Sequence, residues 1–274
     1  MSYRKKHVRN KINKNKPKKS IFKMPIFWFF LLSLIVFSAG IYFCLFFSKI
    51  QIKNITISGN QKVNLQELEK IIDNSVKKNF INFKELKISS NSFFLTNTKN
   101  IQHEILNYSP VIKKVTVSKK FPESLNVLIE ERKRIAIFCQ NEKCFNIDDT
   151  GIIFENSIYP TENIFIVRQA KNIDYLNLGT NVISENLIKT ITEIEKSLKN
   201  NFQINLIEAL IINSIRMDIK TEEGWQIYFD TTEDSNINLQ LTKLNLLLKD
   251  EITPDIRQNL EYIDLRFKDR AYYK

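Results

Sequence analysis

An uncharged, apolar run near the N-terminus constrains this chain more than any other feature. No side chain from Met24 to Ser48 is charged, and Pro25–Phe47 reads PIFWFFLLSLIVFSAGIYFCLFF. As a helix rising about 1.5 Å per residue, this run reaches about 34 Å, enough to cross a hydrocarbon core of about 30 Å. A helix in a soluble core would keep a polar stripe, and this run has none. We therefore predict a transmembrane helix over residues 25–47, with Trp28 and Tyr42 towards its ends, where aromatic rings prefer the membrane interface.

The charge distribution predicts the orientation of this helix. Residues 1–24 carry ten Lys and Arg side chains and no acid. The positive-inside rule then makes these residues a cytoplasmic tail and places the chain after the helix on the opposite side of the membrane. Cleavage as a signal peptide is disfavoured, because the run exceeds an h-region of about 7–15 residues and no small-residue cleavage site follows Phe47.

The same distribution argues against nucleic-acid binding. The whole chain has a formal net charge of +11, but outside the tail 31 basic side chains nearly balance 30 acidic ones. A groove for phosphates would need a basic surface on the folded part. We therefore expect a membrane-bound protein whose partners are lipid and other proteins.

The first module after the helix, over residues 50–132, has a strand–helix–helix–strand–strand pattern. Ile55–Ser58 alternates as a strand and ends in the turn Gly59-Asn60. Two runs with helical spacing follow, and then two alternating runs around a turn with Pro122. The apolar positions of these four elements are Leu65, Leu68, Ile71, Ile72 and Val76; Ile101, Ile105 and Leu106; Val115 and Val117; and Leu125, Val127 and Ile129. Two helices should therefore cover one face of a three-stranded sheet.

The remainder, residues 133–274, reads as short strands with two inserted helices. We predict strands at Ile135–Cys139, Phe145–Ile147, Ile152–Phe154, 204–212, 215–221 and 225–230, and a final pair within Tyr262–Lys274. The helix positions are Leu187, Ile188, Ile191, Ile194 and Leu198, then Ile237, Leu241, Leu244 and Leu248. The fold class is α+β: one transmembrane helix, a β-α-α-β-β domain, and a mixed, β-rich domain.

Three segments resemble one known family. The β-α-α-β-β order is that of a POTRA domain, and VIKKVTVSKKFPESLNVLIEERKRIAIF (Val111–Phe138) resembles the end of that domain in the FtsQ/DivIB family of bacterial cell-division proteins. FNIDDTGIIF and the terminal YIDLRFKDRAYYK resemble two features of the family's β-domain. The connection over 79–98 is longer and richer in Asn than the family usually needs.

This resemblance implies a non-catalytic scaffold at the division septum. Its members join two other single-pass proteins, FtsB/DivIC and FtsL, and with them help to recruit and control the septal peptidoglycan synthase. A membrane-anchored sensor or transport adaptor is the alternative, but such a protein has no reason to end in the IDLRF strand pair. A tethered cell-wall enzyme would need a catalytic constellation.

The candidates for such a constellation are weak. His7 lies in the tail, and His103 lies on a helix whose apolar face is made by other residues. The carboxylate pairs Asp148-Asp149 and Glu130-Glu131 are adjacent in sequence, so their side chains point to different faces and suit turns better than acid–base catalysis. No phosphate-binding loop, nucleophile motif or metal-ligand spacing is present, so we expect no enzymatic activity, cofactor or metal.

The final strand, roughly Arg270–Tyr273, is the predicted partner-binding edge. The chain ends at Lys274, so we expect this strand to lack a neighbour, and an uncovered edge can pair with another chain. Ile263, Leu265 and Phe267 alternate and should face the core, with Asp264 and Arg266 opposite. By resemblance, the contact residues for the FtsB-type partner are Arg266, Phe267, Arg270, Ala271, Tyr272 and Tyr273, with the helix near 237–249 beside them. The alternative is a capped, purely structural edge.

Two cysteines flank a predicted hairpin turn. Cys139 and Cys144 enclose four residues, and if they face each other across the hairpin their separation suits a disulfide in an oxidising compartment. Two free thiols on short strands are the alternative. Cys44 lies in the membrane run and is excluded.

Overall fold

The computed structural model describes residues 24–83, 86–157 and 164–274. The predicted cytoplasmic tail, including His7, lies outside these residues apart from Met24. The described helices are α1 (Pro25–Phe46), α2 (Leu65–Val76), α3 (Thr98–Tyr108), α4 (Glu185–Phe202), α5 (Ile237–Leu246) and α6 (Pro254–Arg257). The described strands are β1 (Asn54–Ser58), β2 (Lys78–Phe83), β3 (Leu86–Ser90), β4 (Ile112–Lys120), β5 (Ser124–Glu131), β6 (Ala136–Gln140), β7 (Lys143–Ile147), β8 (Ile153–Asn156), β9 (Ile166–Gln169), β10 (Leu206–Asn213), β11 (Arg216–Thr221), β12 (Gln226–Asp230), β13 (Tyr262–Asp264) and β14 (Tyr272–Tyr273).

The chain forms two compact units, which we call the anchor unit and the main unit. The described residues of the anchor unit are 24–53, 77–83, 86–96 and 121–123. Those of the main unit are 54–76, 97–120, 124–157 and 164–274.

The anchor unit contains the predicted membrane helix. α1 has 22 residues, none of them buried, and is long and apolar enough to cross a membrane. Pro25 begins it, as suits a residue without a backbone N–H. The helix is followed by a single 3₁₀ turn, Ser48–Ile50, and the unit also contains the antiparallel hairpin of β2 and β3. This hairpin occupies much of the 79–98 connection, for which the sequence predicts no element.

The first sheet of the main unit confirms the predicted POTRA arrangement. Its order is β1-β5-β4, with β1 parallel and β4 antiparallel to β5. The buried residues of α2 and α3 are Leu68, Ile72, Val76, Ile101 and Ile105, all of them predicted positions. Gly59 follows β1 with φ +88°, and a Cβ there would stand 2.0 Å from the Ile129 carbonyl oxygen, so the turn requires glycine.

The second sheet has nine strands in the order β14-β13-β12-β11-β10-β9-β6-β7-β8. Its core contains the buried face of α4 and the fully buried Trp225, Phe138 and Phe229. The sequence predicts most of these strands but misses β9, which pairs in parallel with both β6 and β10 and so joins the first hairpin to the later strands. Its residues, IVRQ, do not alternate between apolar and polar, and this explains the omission.

A buried ion pair joins the two sheets of the main unit. Arg132 Nη1 lies 2.5 Å from Asp148 Oδ2, and these side chains are only 13% and 1% exposed. Arg132 Nε also donates to the Pro110 carbonyl oxygen at 3.0 Å. Asp148 Oδ1 accepts from the backbone N–H groups of Thr150 and Ile152, both at 3.0 Å. Asp148 therefore shapes its turn and fixes the junction between the sheets.

The surroundings of Asp148 keep it ionised. Burial opposes the charge, but the Ile152 N–H, the Thr150 side chain and the Arg132 guanidinium outweigh burial and hold the pKa of Asp148 below its usual 3.8. Its neighbour Asp149 points elsewhere and pairs with Lys113 at 2.8 Å. The two adjacent carboxylates therefore have separate partners and make no acid–base pair.

Candidate partner-binding edge

Strand β14 lies at one end of the nine-stranded sheet. It has two residues and pairs antiparallel with β13, with Tyr272 opposite Asp264 and Tyr273 opposite Ile263. The order of the described strands places no strand on its other side. The predicted strand at 270–273 is therefore present in shortened form, as a sheet edge.

Pairing beyond β14 shows which backbone groups face outward. The Lys274 N–H donates to the Tyr262 carbonyl oxygen at 3.2 Å, and the Tyr262 N–H donates to the Lys274 carbonyl oxygen at 3.3 Å. In an antiparallel pair, every second residue exchanges such bonds with its partner. Tyr272 therefore turns its N–H and C=O towards β13, whereas Ala271 and Tyr273 turn theirs away. These outward groups are the ones an added strand would use.

Aromatic side chains surround the open edge. Phe267, Tyr272 and Tyr273 are each 45% exposed, and the Phe267 ring meets Tyr272 edge to face at 4.9 Å between centroids. The expectation that Phe267 faces the core is wrong. Ile263 and Leu265 are fully buried as predicted, but β13 ends at Asp264, so the alternation does not continue to residue 267. Phe267 is instead available at the surface.

Two arginines and a tyrosine cover the sheet face next to this edge. Arg266 makes two hydrogen bonds to Asp264, of 2.9 and 2.6 Å, and Arg216 makes two to Asp218, of 2.8 and 2.9 Å. Both guanidinium groups lie over the Tyr228 ring. The distance from the guanidinium carbon to the ring centroid is 4.7 Å for Arg216 and 5.6 Å for Arg266. We call these five residues the arginine platform; it combines cation–π contacts with paired charges.

The platform carboxylate Asp264 is ionised. Burial raises its pKa, but hydrogen bonds from the Arg266 side chain and backbone outweigh burial, so the pKa lies below 3.8. The pKa of Arg266 is in turn raised, chiefly by its hydrogen bonds to Asp264. The pair is therefore ionic, and the Arg266 side chain remains 34% exposed. An arriving acidic or aromatic group can still reach the guanidinium.

Lys243 on α5 supports the segment that leads to the edge. Its Nζ donates to the Leu265 carbonyl oxygen at 3.1 Å and to the Phe267 carbonyl oxygen at 2.5 Å. These bonds satisfy two carbonyl groups where the chain leaves β13. Burial lowers the pKa of Lys243. α5 thus lies beside the edge, as expected for the helix near 237–249.

The predicted contact residues group unevenly. Phe267, Arg270 and Tyr272 lie together, with Arg270 Nη1 3.4 Å from the Tyr272 hydroxyl, whereas Arg266 belongs to the platform. The sequence does not predict Lys243, nor does it predict the platform residues Arg216, Asp218 and Tyr228. The alternation of Arg216, Asp218 and Lys220 along β11 is the signal that marks this face as polar, but it does not show which strands are adjacent.

The remaining candidates make no second site. His103 lies on the exposed face of α3, next to the Asn107 amide. In the described parts of the chain, no group of three or more His, Cys, Asp or Glu side chains could hold a metal ion.

The two hairpin cysteines face each other. Cys139 is opposite Cys144 in the β6–β7 register, their Cα atoms are 4.2 Å apart, and the structure places a disulfide between them. Cys44 lies exposed on α1. Bond formation in the extracted protein stays a prediction, with its measurement given in the Discussion.

Comparison with known proteins supports the same reading of the fold. The family described as "POTRA domain, FtsQ-type" matches residues 84–132. The cell division protein DivIB of Clostridium botulinum (strain Hall) is 25% identical over 256 residues, 92% of this chain and 91% of that protein. DivIB of Clostridium acetobutylicum is 25% identical over 235 residues, 84% and 85% of the two chains. The cell division protein FtsQ of Rickettsia bellii is 25% identical over 225 residues, 81% and 71%.

A POTRA sheet, a β-rich region with an open edge and an apolar N-terminal helix that fits a membrane anchor define the class: a POTRA protein of the FtsQ type. The matched relatives are cell-division proteins from both clostridia and rickettsiae, and they align with 81–92% of this chain. Over most of its length the chain is similar to members of the FtsQ/DivIB family.

Proposed function

We propose that this protein is a non-catalytic scaffold of the divisome, and that its open C-terminal edge binds an FtsB/DivIC-type partner by strand addition. Through that partner and an FtsL-type protein it helps to assemble and regulate septal peptidoglycan synthesis. The proposal divides the chain into a cytoplasmic tail (1–24), a transmembrane helix (25–47), a POTRA domain (50–132) and a β-domain (133–274). The observation that carries it is β14, a two-residue edge strand with outward backbone groups at Ala271 and Tyr273.

Strand addition accounts for both affinity and specificity at this edge. The outward N–H and C=O groups supply hydrogen bonds that any extended chain can use. The exposed rings of Phe267, Tyr272 and Tyr273 supply apolar contacts, and aromatic and arginine side chains are the types that dominate binding energy at interfaces. Arg266 on the platform favours a partner that brings an acidic or aromatic side chain.

The test is to remove one outward donor. Ala271→Pro deletes the outward N–H and sets a ring where the partner strand would approach. We expect co-purification of the partner from membranes to fall at least about tenfold, since one lost hydrogen bond together with the steric conflict exceeds about 1.4 kcal/mol. Ala271→Ser is the matched control, because it keeps the N–H and should bind as the native chain does.

Monomer stability separates binding from folding. Because the Ala271 N–H makes no bond to β13, Ala271→Pro should keep its urea midpoint near that of the native chain. Tyr272→Pro removes an inward donor and should loosen the hairpin itself. Full partner recovery with a correctly folded Ala271→Pro variant would refute the assignment of this edge.

Orientation is proposed from the charge asymmetry around α1. The ten basic residues in 1–24 favour a cytoplasmic N-terminal end, with residues 49–274 on the other side of the membrane. An alkaline phosphatase fused to the C-terminus should therefore be active. An inactive phosphatase, together with a fluorescent cytoplasmic reporter fused at the same site, would show the opposite orientation.

A further inference from the structure

The last turn of the membrane helix is capped by side chains that lie far away in sequence. The carbonyl groups at a helix C-terminus have no partner within the helix. Here Ser92 Oγ donates to the Cys44 carbonyl oxygen at 2.7 Å, and Gln51 Nε2 donates to the Leu45 carbonyl oxygen at 2.6 Å. Ser90 Oγ donates to the same Leu45 oxygen. Both serines are buried, so the segment around them is fixed to the end of α1.

Backbone pairing extends this attachment. The Ile52 N–H donates to the Asn91 carbonyl oxygen, and the Phe93 N–H donates to the Ile50 carbonyl oxygen, both at 2.9 Å. Ile50 and Ile52 are buried beneath this short ladder. Residues 50–52 and 91–93 therefore form a hydrogen-bonded collar directly after the helix.

The collar carries an exposed aromatic cluster. The ring of Phe93 meets Phe94 edge to face at 5.9 Å and Phe121 at 5.7 Å between centroids. Phe94 is 57% exposed and Phe121 66%. Grouped phenyl rings in contact with water are unfavourable, so this cluster indicates a surface that meets an apolar or amphipathic environment.

The contacts with α1 set the depth of this cluster. Ser92 bonds to the final turn of α1, so it lies at the level where a membrane-spanning helix leaves the hydrocarbon core. Consecutive Cα atoms are about 3.8 Å apart, so Phe93 and Phe94 lie within about 8 Å of Ser92. The headgroup layer on each side of the core is about 5–8 Å thick. The cluster is therefore close enough to the helix end to reach the headgroup layer.

The charged side chains near the collar also fit a position in the headgroup layer. Lys49, Lys77 and Lys78 are exposed. In the described residues of the anchor unit, Glu123 is the sole carboxylate side chain, and it lies 3.4 Å from Lys53. Aromatic rings with lysines and almost no acid are typical of surfaces that contact anionic lipid.

We propose that Phe93, Phe94 and Phe121 insert into the headgroup layer of the extracytoplasmic leaflet, with Lys49, Lys77 and Lys78 contacting lipid phosphates. The anchor unit is thus bound to the lipid surface along the collar, which fixes the depth of the helix end in the bilayer. The inference depends on α1 spanning the membrane and is independent of any protein partner.

Tryptophan emission in lipid nanodiscs tests this depth with the full chain. The parent is Trp28→Phe, in which fully buried Trp225 remains and reports that the fold is intact. Phe94→Trp and Phe121→Trp are made in this parent, and Tyr175→Trp, at an 82% exposed position of the main unit, is the matched control. The discs contain phosphatidylethanolamine and phosphatidylglycerol, with or without bromine in the upper acyl chain.

The added tryptophans at positions 94 and 121 should emit at shorter wavelength than the one at position 175 and should lose emission in brominated discs. The added tryptophan at position 175 should show no loss. Emission at 94 and 121 that matches the control, while native Trp28 is quenched, would overturn the inserted patch and leave the anchor in place. If Trp28 were not quenched in the native chain, that result would overturn both the inserted aromatic patch and the membrane-spanning position of α1.

Discussion

Two Arg–Asp pairs of the main unit differ in their surroundings, although their chemistry is the same. Arg132–Asp148 is buried, with side chains 13% and 1% exposed, and joins residues of two sheets. Arg266–Asp264 lies two residues apart on one sheet, with side chains 34% and 9% exposed, beside an edge whose outward backbone groups have no strand in the described structure. The buried pair stabilises the junction between the two sheets, whereas the exposed pair lies on an accessible surface beside the open edge.

The largest expected effect comes from breaking the buried pair. Arg132→Met leaves the carboxylate of Asp148 buried without its counter-charge, so we expect the free energy of unfolding to fall by about 3–5 kcal/mol. The matched variant Arg266→Met breaks an exposed pair and should cost less than about 1 kcal/mol. Urea unfolding of both variants measures the contrast. Equal losses would show that the two regions do not differ as described.

Acid should act mainly through the same buried carboxylate. The pKa of Asp148 is depressed in the folded state, so its contribution to stability is complete above its ordinary value of 3.8 and is lost as pH falls through the lower folded value. Asp148→Asn should therefore be less stable than the native chain at neutral pH. The difference in the free energy of unfolding between the two chains should decrease below about pH 4. If this difference in the free energy of unfolding stayed constant from neutral pH to below about pH 4, it would contradict the ionised, hydrogen-bonded state of Asp148.

The hairpin disulfide should have a smaller effect. A bond between Cys139 and Cys144 closes a short loop, for which the loop-entropy relation gives about 2 kcal/mol. Cys139→Ser with Cys144→Ser should lower the free energy of unfolding by about this amount under oxidising conditions and leave it unchanged under reducing ones. Mass spectrometry of the non-reduced extract decides whether the bond exists. Two alkylatable thiols at these positions would exclude it.

The smallest effects on stability are expected at the open edge. Phe267→Ala and Tyr272→Ala remove half-exposed rings, and each should cost the monomer no more than about 1 kcal/mol. Both should weaken partner recovery, because the same rings would be buried in the complex. Leu265→Ala, at a fully buried position next to them, should instead cost about 2–5 kcal/mol in unfolding. A large stability loss for the two edge variants would make the edge a structural element.

The sequence predicts the elements that have a clear period and misses those whose position depends on tertiary contacts. α1, α2 and α4 follow from long apolar patterns, and Gly59 marks its turn. Strand β9 does not alternate between apolar and polar residues, and its place between β6 and β10 depends on remote partners. The β2–β3 hairpin alternates only over the short runs 81–83 and 86–88, so its strand signal in the sequence is weak.

At the candidate site, sequence reasoning finds the final strand but not its surroundings. Phe267 continues an alternation that the structure ends at Asp264. Lys243 is an ordinary helix lysine in sequence, and only the return of the chain to α5 places its ammonium group against the Leu265 and Phe267 carbonyls. Such contacts join distant residues and leave no local signal.

We propose that the open edge, and not the rest of the sheet, binds the partner. A photo-crosslinking phenylalanine analogue at Tyr273 tests it in living cells, with the same group at the exposed Tyr175 and at Glu155 on the opposite edge strand β8 as controls. We expect a crosslinked partner of the FtsB/DivIC type from position 273 and none from 175 or 155. Crosslinking of that partner from 155, with none from 273, would contradict it.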